Sequence, residues 1–438
     1  MKTKKAMKKI THIGMAALVA MGMLGTSCNK AESPEIETPE TQKENIVTLT
    51  TTVGFAADGT KALTSTGVKT FAEGETMAIY YWKNKGNDHV KAVSAPLTAG
   101  DITNGRKSAT FTFTLDNPYK DMSVVYTYPA AMANADFTPN YDALYNNQDG
   151  TRATLASDFD FCTKSGAWAG DNLPSLTLEN QLAILAITLK NAGGSSDITS
   201  GITGLTLSDG TYTYNVSRSA AAGPIYVAIR PTSDATITVT ATDGTKNYTK
   251  TLTGKTYTAS NGYPVSWRMA EAYTLAESTV GMIVGTDGKA YAVADKDNLP
   301  SAGVTAAGMV AYKNGSNGLV IALADEANTM NWSTATGASG AAAHTPVVTG
   351  GTWKLPSKAE WNQMFGADAE EDIANYMSLN YALDAAGGTA LPESYSYYWS
   401  STEFEGDIAY VELDCGSAYW HNNGYEDEDR LVRACLAF

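Results

Sequence analysis

Four consecutive acidic residues near the carboxyl end form the densest group of possible metal ligands in the chain. They are Glu426, Asp427, Glu428 and Asp429, and Ca²⁺ prefers such carboxylate oxygens. However, Ca²⁺ takes about six to eight oxygens from a looped backbone, whereas adjacent side chains on a strand or turn point in different directions. The sequence also has no EF-hand spacing. We therefore interpret the run as a solvated acidic face in preference to a calcium site, and we expect no metal and no cofactor.

The cysteines and histidines offer little catalytic chemistry. Four of each occur, and their spacing matches no zinc site. If Cys28 is lipidated, as argued below, Cys162, Cys415 and Cys435 remain, so at most one disulfide can form. A pair between Cys415 and Cys435 is conceivable, although no sequence rule requires it. No basic surroundings lower the thiol pKa values, and nucleophile elbows, phosphate loops and dinucleotide fingerprints do not occur. We expect no enzymatic activity.

Residues 395–438 combine aromatic and short polar side chains with few aliphatic ones. Tyr and Trp supply large, stiff contact area at low entropic cost, and short polar side chains supply adaptable hydrogen bonds, as in antibody paratopes. Residues 419–429 follow neither a period of two nor one of 3.6, so we interpret them as a binding surface in preference to an ordinary loop. For Trp399, Leu431 and Val432 we predict core positions.

Charge excludes several classes of partner. The formal net charge is −15, and the first 27 residues hold five of the 31 basic residues and no acid, so the remainder has 26 basic and 46 acidic residues and a charge near −20. Nucleic acid and anionic lipid headgroups are therefore poor partners. From Tyr273 onward the chain has 22 acidic and 7 basic residues, which gives this region a net charge of −15. This region should favour cationic, metal-bridged or neutral glycan-like partners.

The amino-terminal residues are typical of an exported protein. A basic start and a short apolar run predict a signal peptide over residues 1–27, because the run is too short for a membrane span. Residues 28–45 are rich in Pro, Glu and Thr and should form an extended tether. Leu24 to Cys28 resemble a bacterial lipobox with one extra residue, which implies lipidation at Cys28. Residues 29–32 resemble the surface-export tag of gut Bacteroidetes lipoproteins. We expect an outer-membrane lipoprotein at the cell surface or in a fimbrium that touches the membrane through its lipid anchor only.

The region after the tether reads as short strands separated by Gly, Asn, Asp and Pro. Phe111, Phe113 and Leu115 alternate with Thr, which is the period of a strand with one buried face. Strands at this spacing predict β-sandwiches. One sandwich of this length would be large, so we predict two tandem β-sandwich domains at 46–168 and 169–272. The fold class is then mainly β with a smaller α+β part at the carboxyl end.

Five segments in this region carry a family resemblance. They are TFAEGETMAI (70–79), YTYP (126–129), LPSLTLENQLAI (173–184), IYVAIRP (225–231) and LTGKTY (252–257). In this order they resemble the landmarks of fimbrillin-like proteins, which are lipoprotein-derived pilins of Bacteroidales with two β-sandwich domains. In that family a protease trims the lipidated amino terminus so that strands can be exchanged between subunits. No Arg cleavage site precedes the first strand here, and Lys43 is the only basic residue close to it. The resemblance therefore implies either a subunit that polymerises with other pilin subunits or a simple stalk.

Residues 273–438 mix strands with helices. Ser357 followed by Glu360 is a capping box that predicts a helix start, and Gly366 predicts its end. We predict a second helix over residues 369–378. The first helix should present these side chains to a core: Trp361, Met364 and Phe365.

Three segments here resemble a known domain, namely WKLPSKAEW (353–361), YWSSTE (398–403) and RLVRACLAF (430–438). They resemble the C-type lectin-like module of bacterial surface proteins, including the variable proteins that retroelements diversify. The resemblance implies a ligand-binding domain at 273–438. It places the ligand-contacting side chains at Phe404, Glu405, Asp407, Tyr410, Glu412, Asp414, Tyr419, Trp420, His421, Asn422, Asn423, Tyr425, Glu426 and Asp427.

Two functions are consistent with these patterns. In the first, the chain is a surface adhesin or pilus-tip subunit that binds a protein or glycan on a host, microbial or phage surface through the residues above. In the second, it is a structural fimbrial subunit with no specific ligand. Alanine at Tyr419, Trp420 and Tyr425 discriminates between them, because the adhesin would lose binding with an intact fold and the structural subunit would lose assembly.

Overall fold

Strands make up most of the regular structure, which confirms the prediction of a mainly β fold. The structure is a computed structural model, and it describes residues 45–55, 70–86, 88–120, 122–136, 138–159, 161–168 and 171–438. The predicted signal peptide, the lipidation site Cys28 and nearly all of the predicted tether lie outside the described residues. Within the described ranges, no helix combines the length and the apolar character needed to cross a membrane.

The first region forms two four-stranded sheets around one core. Its strands are β1 (Ile46–Phe55), β2 (Ala78–Lys83), β3 (Asp88–Val93), β4 (Ile102–Thr103), β5 (Ser108–Asp116), β6 (Ser123–Tyr128), β7 (Cys162–Ala167) and β8 (Leu176–Leu178). The sheet orders are β4-β5-β1-β8 and β3-β2-β6-β7. Phe111, Phe113 and Leu115 of β5 are buried as their alternation predicts, and they share a core with Tyr126 of the other sheet. Two sheets over a common apolar core are a β-sandwich.

The second region is another sandwich. Its strands are β9 (Ala183–Lys190), β10 (Gly204–Ser208), β11 (Thr213–Ser217), β12 (Ile225–Ile229), β13 (Thr232–Thr242), β14 (Asn247–Tyr257), β15 (Gly262–Arg268) and β16 (Ala270–Ala272). The sheet orders are β11-β10-β13-β14-β16 and β12-β9-β15. Ile187, Ile225 and Val239 lie in its core.

Two short helices join the second core although they precede β7 in the chain. They are α1 (Asp142–Asn146) and α2 (Arg152–Asp158), and they bury Leu144 and Leu155 among the apolar residues of β9 to β15. The boundaries at 168/169 and 272/273 stay predictions. Short 3-10 helices cover Asn84–Gly86, Ala99–Asp101, Ala130–Met132, Thr199–Gly201, Leu275–Glu277, Val293–Ala302 and Ala341–Ala343.

The third region supplies the predicted α+β part. Its strands are β17 (Ile283–Gly285), β18 (Ala290–Tyr291), β19 (Ala306–Asn314), β20 (Asn317–Ala322), β21 (Ile373–Asn375), β22 (Ser396–Phe404), β23 (Asp407–Asp414), β24 (Ser417–Gly424) and β25 (Cys435–Ala437). Its helices are α3 (Trp332–Thr336), α4 (Lys358–Phe365) and α5 (Met377–Ala386). One sheet has the order β18-β17-β19-β20-β25 and the other β21-β24-β23-β22.

Helix α4 begins and ends as predicted. The Glu360 backbone N–H donates to Ser357 Oγ at 3.2 Å, and the Ser357 N–H donates to Glu360 Oε2 at 2.9 Å, which together form the capping box. Gly366 ends the helix with a φ of 78°, a left-handed conformation that glycine adopts without strain. The side chains that α4 buries include the three predicted ones: Trp361, Met364 and Phe365.

The prediction of a second helix over residues 369–378 is wrong. Ile373–Asn375 forms the edge strand β21, in which Ile373 pairs with Tyr419 of β24. The helix lies further along the chain as α5 and ends at Gly387. The reason is apolar spacing, because residues three and four apart share one helix face. That spacing occurs in α5, at Leu379, Leu383 and Ala386.

A buried ion pair fixes the two sheets of the third region to each other. Arg433 is fully buried, and its Nε donates to Asp325 Oδ1 at 2.5 Å. Its other nitrogens donate to the carbonyls of Ala322 and Thr389, each at 3.1 Å. Tyr398 of β22 donates its hydroxyl to Asp325 Oδ2 at 2.8 Å, and burial raises the pKa of Tyr398. A buried charge needs such partners, and this network holds β22 in place.

Candidate ligand-binding surface

Strands β22, β23 and β24 form an antiparallel meander joined by two tight turns. Glu405 and Gly406 connect β22 to β23 with φ values of 54° and 94°. Cys415 and Gly416 connect β23 to β24 with φ values of 49° and 84°. Two-residue turns with positive φ at both positions match the right-handed twist of paired strands. They keep the three strands in fixed register, so the side chains between them have defined positions.

Strand β24 sends neighbouring side chains to opposite faces of this sheet. Tyr419 is 38% exposed, whereas Trp420 is 9% exposed and packs against helix α4. The indole Nε1 of Trp420 donates to Asn362 Oδ1 at 2.8 Å, and its backbone N–H donates to the carbonyl of Asp372 at 3.0 Å. The sequence predicts Trp420 among the ligand-contacting residues, but the structure turns its ring inward because a strand alternates with a period of two.

Tyr410 is also buried, and it shares an apolar core with its strand partner Trp399. Its ring stacks on His421, with centroids 4.9 Å apart and an angle of 14°. The Arg430 guanidinium lies 3.6 Å from the centroid of the Tyr410 ring. His421 Nε2 is 3.0 Å from Glu412 Oε2, which joins β24 to β23 through their side chains. Burial raises the pKa of Tyr410. Tyr410 therefore supports the surface and exposes little of its own ring, contrary to the sequence prediction.

Arg430 is the residue at this site that the sequence analysis missed. Its guanidinium also lies 4.8 Å from the Trp399 ring and 5.2 Å from the Tyr397 ring, and it pairs with Glu428. Cation–π contacts of this kind stabilise by about 0.5–2 kcal/mol. In the sequence, the position of Arg430 beside the acidic run is the only hint of a structural role. The stack itself depends on pairing between β22 and the chain after β24, which the sequence alone does not show. Trp399 is fully buried, as the sequence predicts.

The remaining predicted residues are exposed or half-buried. Among aromatic side chains, Phe404 is 55% exposed and Tyr425 is 68% exposed. The half-buried ones are Glu412, Asp414 and His421. The exposed ones are Phe404, Glu405, Asp407, Tyr419, Asn422, Asn423, Tyr425, Glu426 and Asp427. Below, "the candidate surface" means these twelve residues.

The candidate surface is an elongated strip. Phe404 pairs with Asp407, and Ile408 pairs with Gly424, so one end gathers the first turn and the end of β24. Asp414 lies at the other end of β23. At about 3.4 Å per residue, the seven steps from Asp407 to Asp414 span roughly 24 Å. A strip of this length suits an extended contact with a large partner and does not enclose a small ligand.

The acidic run is divided between two roles. Glu428 pairs with Arg430 and accepts the backbone N–H of Tyr425 at 3.5 Å, whereas Glu426 and Asp427 are exposed. Within the described ranges, no group of three or more His, Cys, Asp or Glu side chains could hold a metal ion.

Cys415 and Cys435 do not form a disulfide. Both are free, as is Cys162. Cys435 is buried in β25, and burial raises the pKa of its thiol. Cys415 lies exposed in the β23–β24 turn, where a hydrogen bond to Asp414 raises its thiol pKa. Cys435 lies in a strand of one sheet and Cys415 in a turn of the other, which explains why the pairing left open by the sequence is not formed.

Comparison with known proteins gives structural likenesses alone. No family model matches the chain, and no curated protein matches it. A fimbrial protein from Bacteroides ovatus aligns over 90% of this chain and 100% of its own, with 14% identity and a TM-score of 0.29. A fimbrial assembly protein from Parabacteroides distasonis aligns over 52% of this chain and 95% of its own, with 12% identity and a TM-score of 0.29. The minor pilin GBS52 of Streptococcus agalactiae aligns over 52% of this chain and 97% of its own, with 11% identity and a TM-score of 0.21. Likenesses this weak assign neither a family nor an activity to the chain.

Proposed function

We propose that this chain is a lipid-anchored surface adhesin or pilus-tip subunit. Its first two regions act as a β stalk, and its third region acts as a C-type lectin-like module. The module binds a protein or glycan ligand through the candidate surface. The ligand comes from a host, microbial or phage surface, and no nucleic acid or cofactor takes part.

One observation carries the proposal: large aromatic side chains stand exposed on the sheet of β22 to β24 and directly after it. Phe404, Tyr419 and Tyr425 are each more than a third exposed. Exposed aromatic residues of this kind are enriched at energetically dominant positions of interfaces. The sheet beneath them is held by the indole hydrogen bond of Trp420 and by the stack of Arg430 on Tyr410. A rigid support lowers the entropic cost of binding.

The surroundings of these rings fit an interface rim. Glu405, Asp407, Glu426 and Asp427 are exposed acids that lie close in the chain to Phe404 and Tyr425. A polar rim around apolar anchors is the common arrangement in specific interfaces. The excess of acids also disfavours anionic ligands at this surface, because like charges raise the energy of the complex.

The test is a binding screen with matched variants of the whole chain. Wild type is applied to arrays of glycans and of bacterial, phage and host surface proteins. We expect Tyr419→Ala and Tyr425→Ala each to lower the affinity for the ligands that the screen finds by at least about tenfold. Truncation of a dominant aromatic contact costs about 2 kcal/mol or more. Tyr381→Ala is the control, because Tyr381 is 70% exposed but lies on α5, outside the candidate surface.

The outcomes separate the two functions. If the double variant Tyr419→Ala/Tyr425→Ala binds every ligand as wild type does, the site is misplaced. If no ligand is found and the double variant instead fails to assemble into fibres, the chain is a structural fimbrial subunit. Circular dichroism of each variant confirms that the fold is intact before binding is compared.

A further inference from the structure

A second group of aromatic side chains surrounds an arginine in the second sandwich. Arg230 follows β12, and its guanidinium lies 4.2 Å from the ring centroid of Tyr212 and 4.7 Å from that of Tyr141. The Tyr145 ring stacks on Tyr212 with centroids 5.6 Å apart and an angle of 6°. Tyr214 lies beneath, and its hydroxyl accepts the backbone N–H of Arg230 at 3.0 Å. Three separate parts of the chain thus meet at one arginine.

The cluster is reachable from solvent. Arg230, Tyr141, Tyr145 and Tyr212 are all half-buried, whereas Tyr214 is buried. The Tyr212 and Tyr141 rings both lie against the guanidinium, and a guanidinium that packs on aromatic rings keeps its N–H donors in its own plane. None of the Arg230 nitrogens belongs to the buried polar atoms that lack a partner, so the donors without a protein acceptor reach water.

The Arg230 guanidinium has one hydrogen-bond acceptor among the described residues. Its Nη1 donates to the Tyr145 hydroxyl at 3.4 Å, which is near the limit of a hydrogen bond. Within the part of the chain that the structure describes, no carboxylate forms an ion pair with it. Asp209 uses its Oδ1 to accept the backbone N–H groups of Thr211 and Tyr212. Arg230 is therefore an accessible arginine whose charge is not paired with a carboxylate of the described residues.

We propose that this tyrosine–arginine cluster binds an acidic saccharide. The planar donors of Arg230 suit the oxygens of a carboxylate or sulfate, which a guanidinium can bind through two parallel hydrogen bonds. The exposed parts of the half-buried Tyr141 and Tyr212 rings offer apolar area beside the guanidinium, and the Tyr145 hydroxyl can exchange hydrogen bonds with sugar hydroxyls. The site lies outside the candidate surface and differs from it in charge preference.

A nearby arginine extends the same face. Arg152 of α2 lies 4.6 Å from the Tyr226 ring centroid and donates to the Tyr226 hydroxyl. Tyr226 lies in β12 and Arg230 directly follows that strand, four residues further on, which is roughly 13 Å of extended chain at 3.3 Å per residue. This spacing allows a chain of several sugar units to contact both arginines.

The experiment is isothermal titration calorimetry on the whole chain at physiological salt. The probes are hyaluronan oligosaccharides, which carry carboxylates, dextran sulfate, which carries sulfates, and dextran, which carries neither. We expect binding of one of the two anionic probes and none of dextran. Arg230→Gln should weaken this binding at least tenfold, and Arg230→Lys should weaken it also, because an ammonium cannot form the paired hydrogen bonds.

The same sandwich supplies the control variant. Arg268→Gln removes an exposed arginine of β15 in the same sandwich and should change the affinity less than twofold. Unchanged affinity in Arg230→Gln, or no binding of either anionic probe, would overturn the proposal. Equal binding of poly-glutamate would overturn the saccharide assignment. Thermal denaturation of each variant shows whether a lost binding signal reflects lost folding. Tyr212→Leu tests the aromatic part of the cluster independently, because it leaves Arg230 in place.

Discussion

Alanine substitutions at two neighbouring residues of β24 should destabilise the sheet to very different extents. Trp420 is 9% exposed and donates its indole N–H to Asn362, so Trp420→Ala removes a buried ring and leaves a buried acceptor unpaired. Substitutions of a buried Phe or Trp by Ala cost about 3–5 kcal/mol. Tyr419 is 38% exposed, and its side chain forms no hydrogen bond with another residue in the described ranges, so Tyr419→Ala should cost no more than about 1 kcal/mol. The difference follows from strand alternation alone.

Hydrogen exchange measured by mass spectrometry on the whole chain reads this difference locally. Peptides that cover β22 to β24 report the free energy of opening of that sheet, whatever the stability of the two sandwiches. Since about 1.4 kcal/mol changes an equilibrium tenfold, Trp420→Ala should speed exchange there by roughly one hundred- to several thousand-fold. Tyr419→Ala should speed it by less than about tenfold. Equal effects of the two variants would refute the inward orientation of Trp420 and the register of the sheet.

Two further variants test the supports and the thiols of the third region. Arg433→Met leaves the Asp325 carboxylate without its buried partner, so it should destabilise this region by about 3–5 kcal/mol. Urea denaturation measures this loss of stability, and hydrogen exchange in the peptides of β22 to β24 shows that it falls in the third region. Maleimide should label Cys415 in the native chain and Cys435 only after denaturation, because Cys435 is buried. Asp414→Asn should speed labelling of Cys415 at neutral pH. The carboxylate raises the thiol pKa, so its removal lowers that pKa and increases the reactive thiolate.

Local signals in the sequence predicted the elements that local chemistry decides. The capping box at Ser357 and the glycine at Gly366 fixed both ends of α4, since each satisfies backbone groups within one turn. Alternation fixed the buried face of β5. The helix predicted at 369–378 failed because its residues pair with β24, and a short edge strand gives no periodic signal of its own.

The candidate site was predictable in outline, not in detail. The density of aromatic residues located the meander, and exposure of Phe404, Tyr419 and Tyr425 agrees with a contact role. The inward ring of Trp420 could not be inferred until the strand register was known. The stack of Arg430 on Tyr410 depends on a contact between β23 and the chain after β24, which no local pattern encodes.

Hydroxyl-radical footprinting of the whole chain tests most directly whether the candidate surface binds the ligand. The chain is labelled alone and in complex with the tightest ligand from the array screen, and oxidation of each tyrosine is quantified by mass spectrometry. We predict that Tyr419 and Tyr425 become protected in the complex, while Tyr381 on α5 keeps its oxidation rate. Protection of Tyr381, with unchanged rates at Tyr419 and Tyr425, would contradict the account.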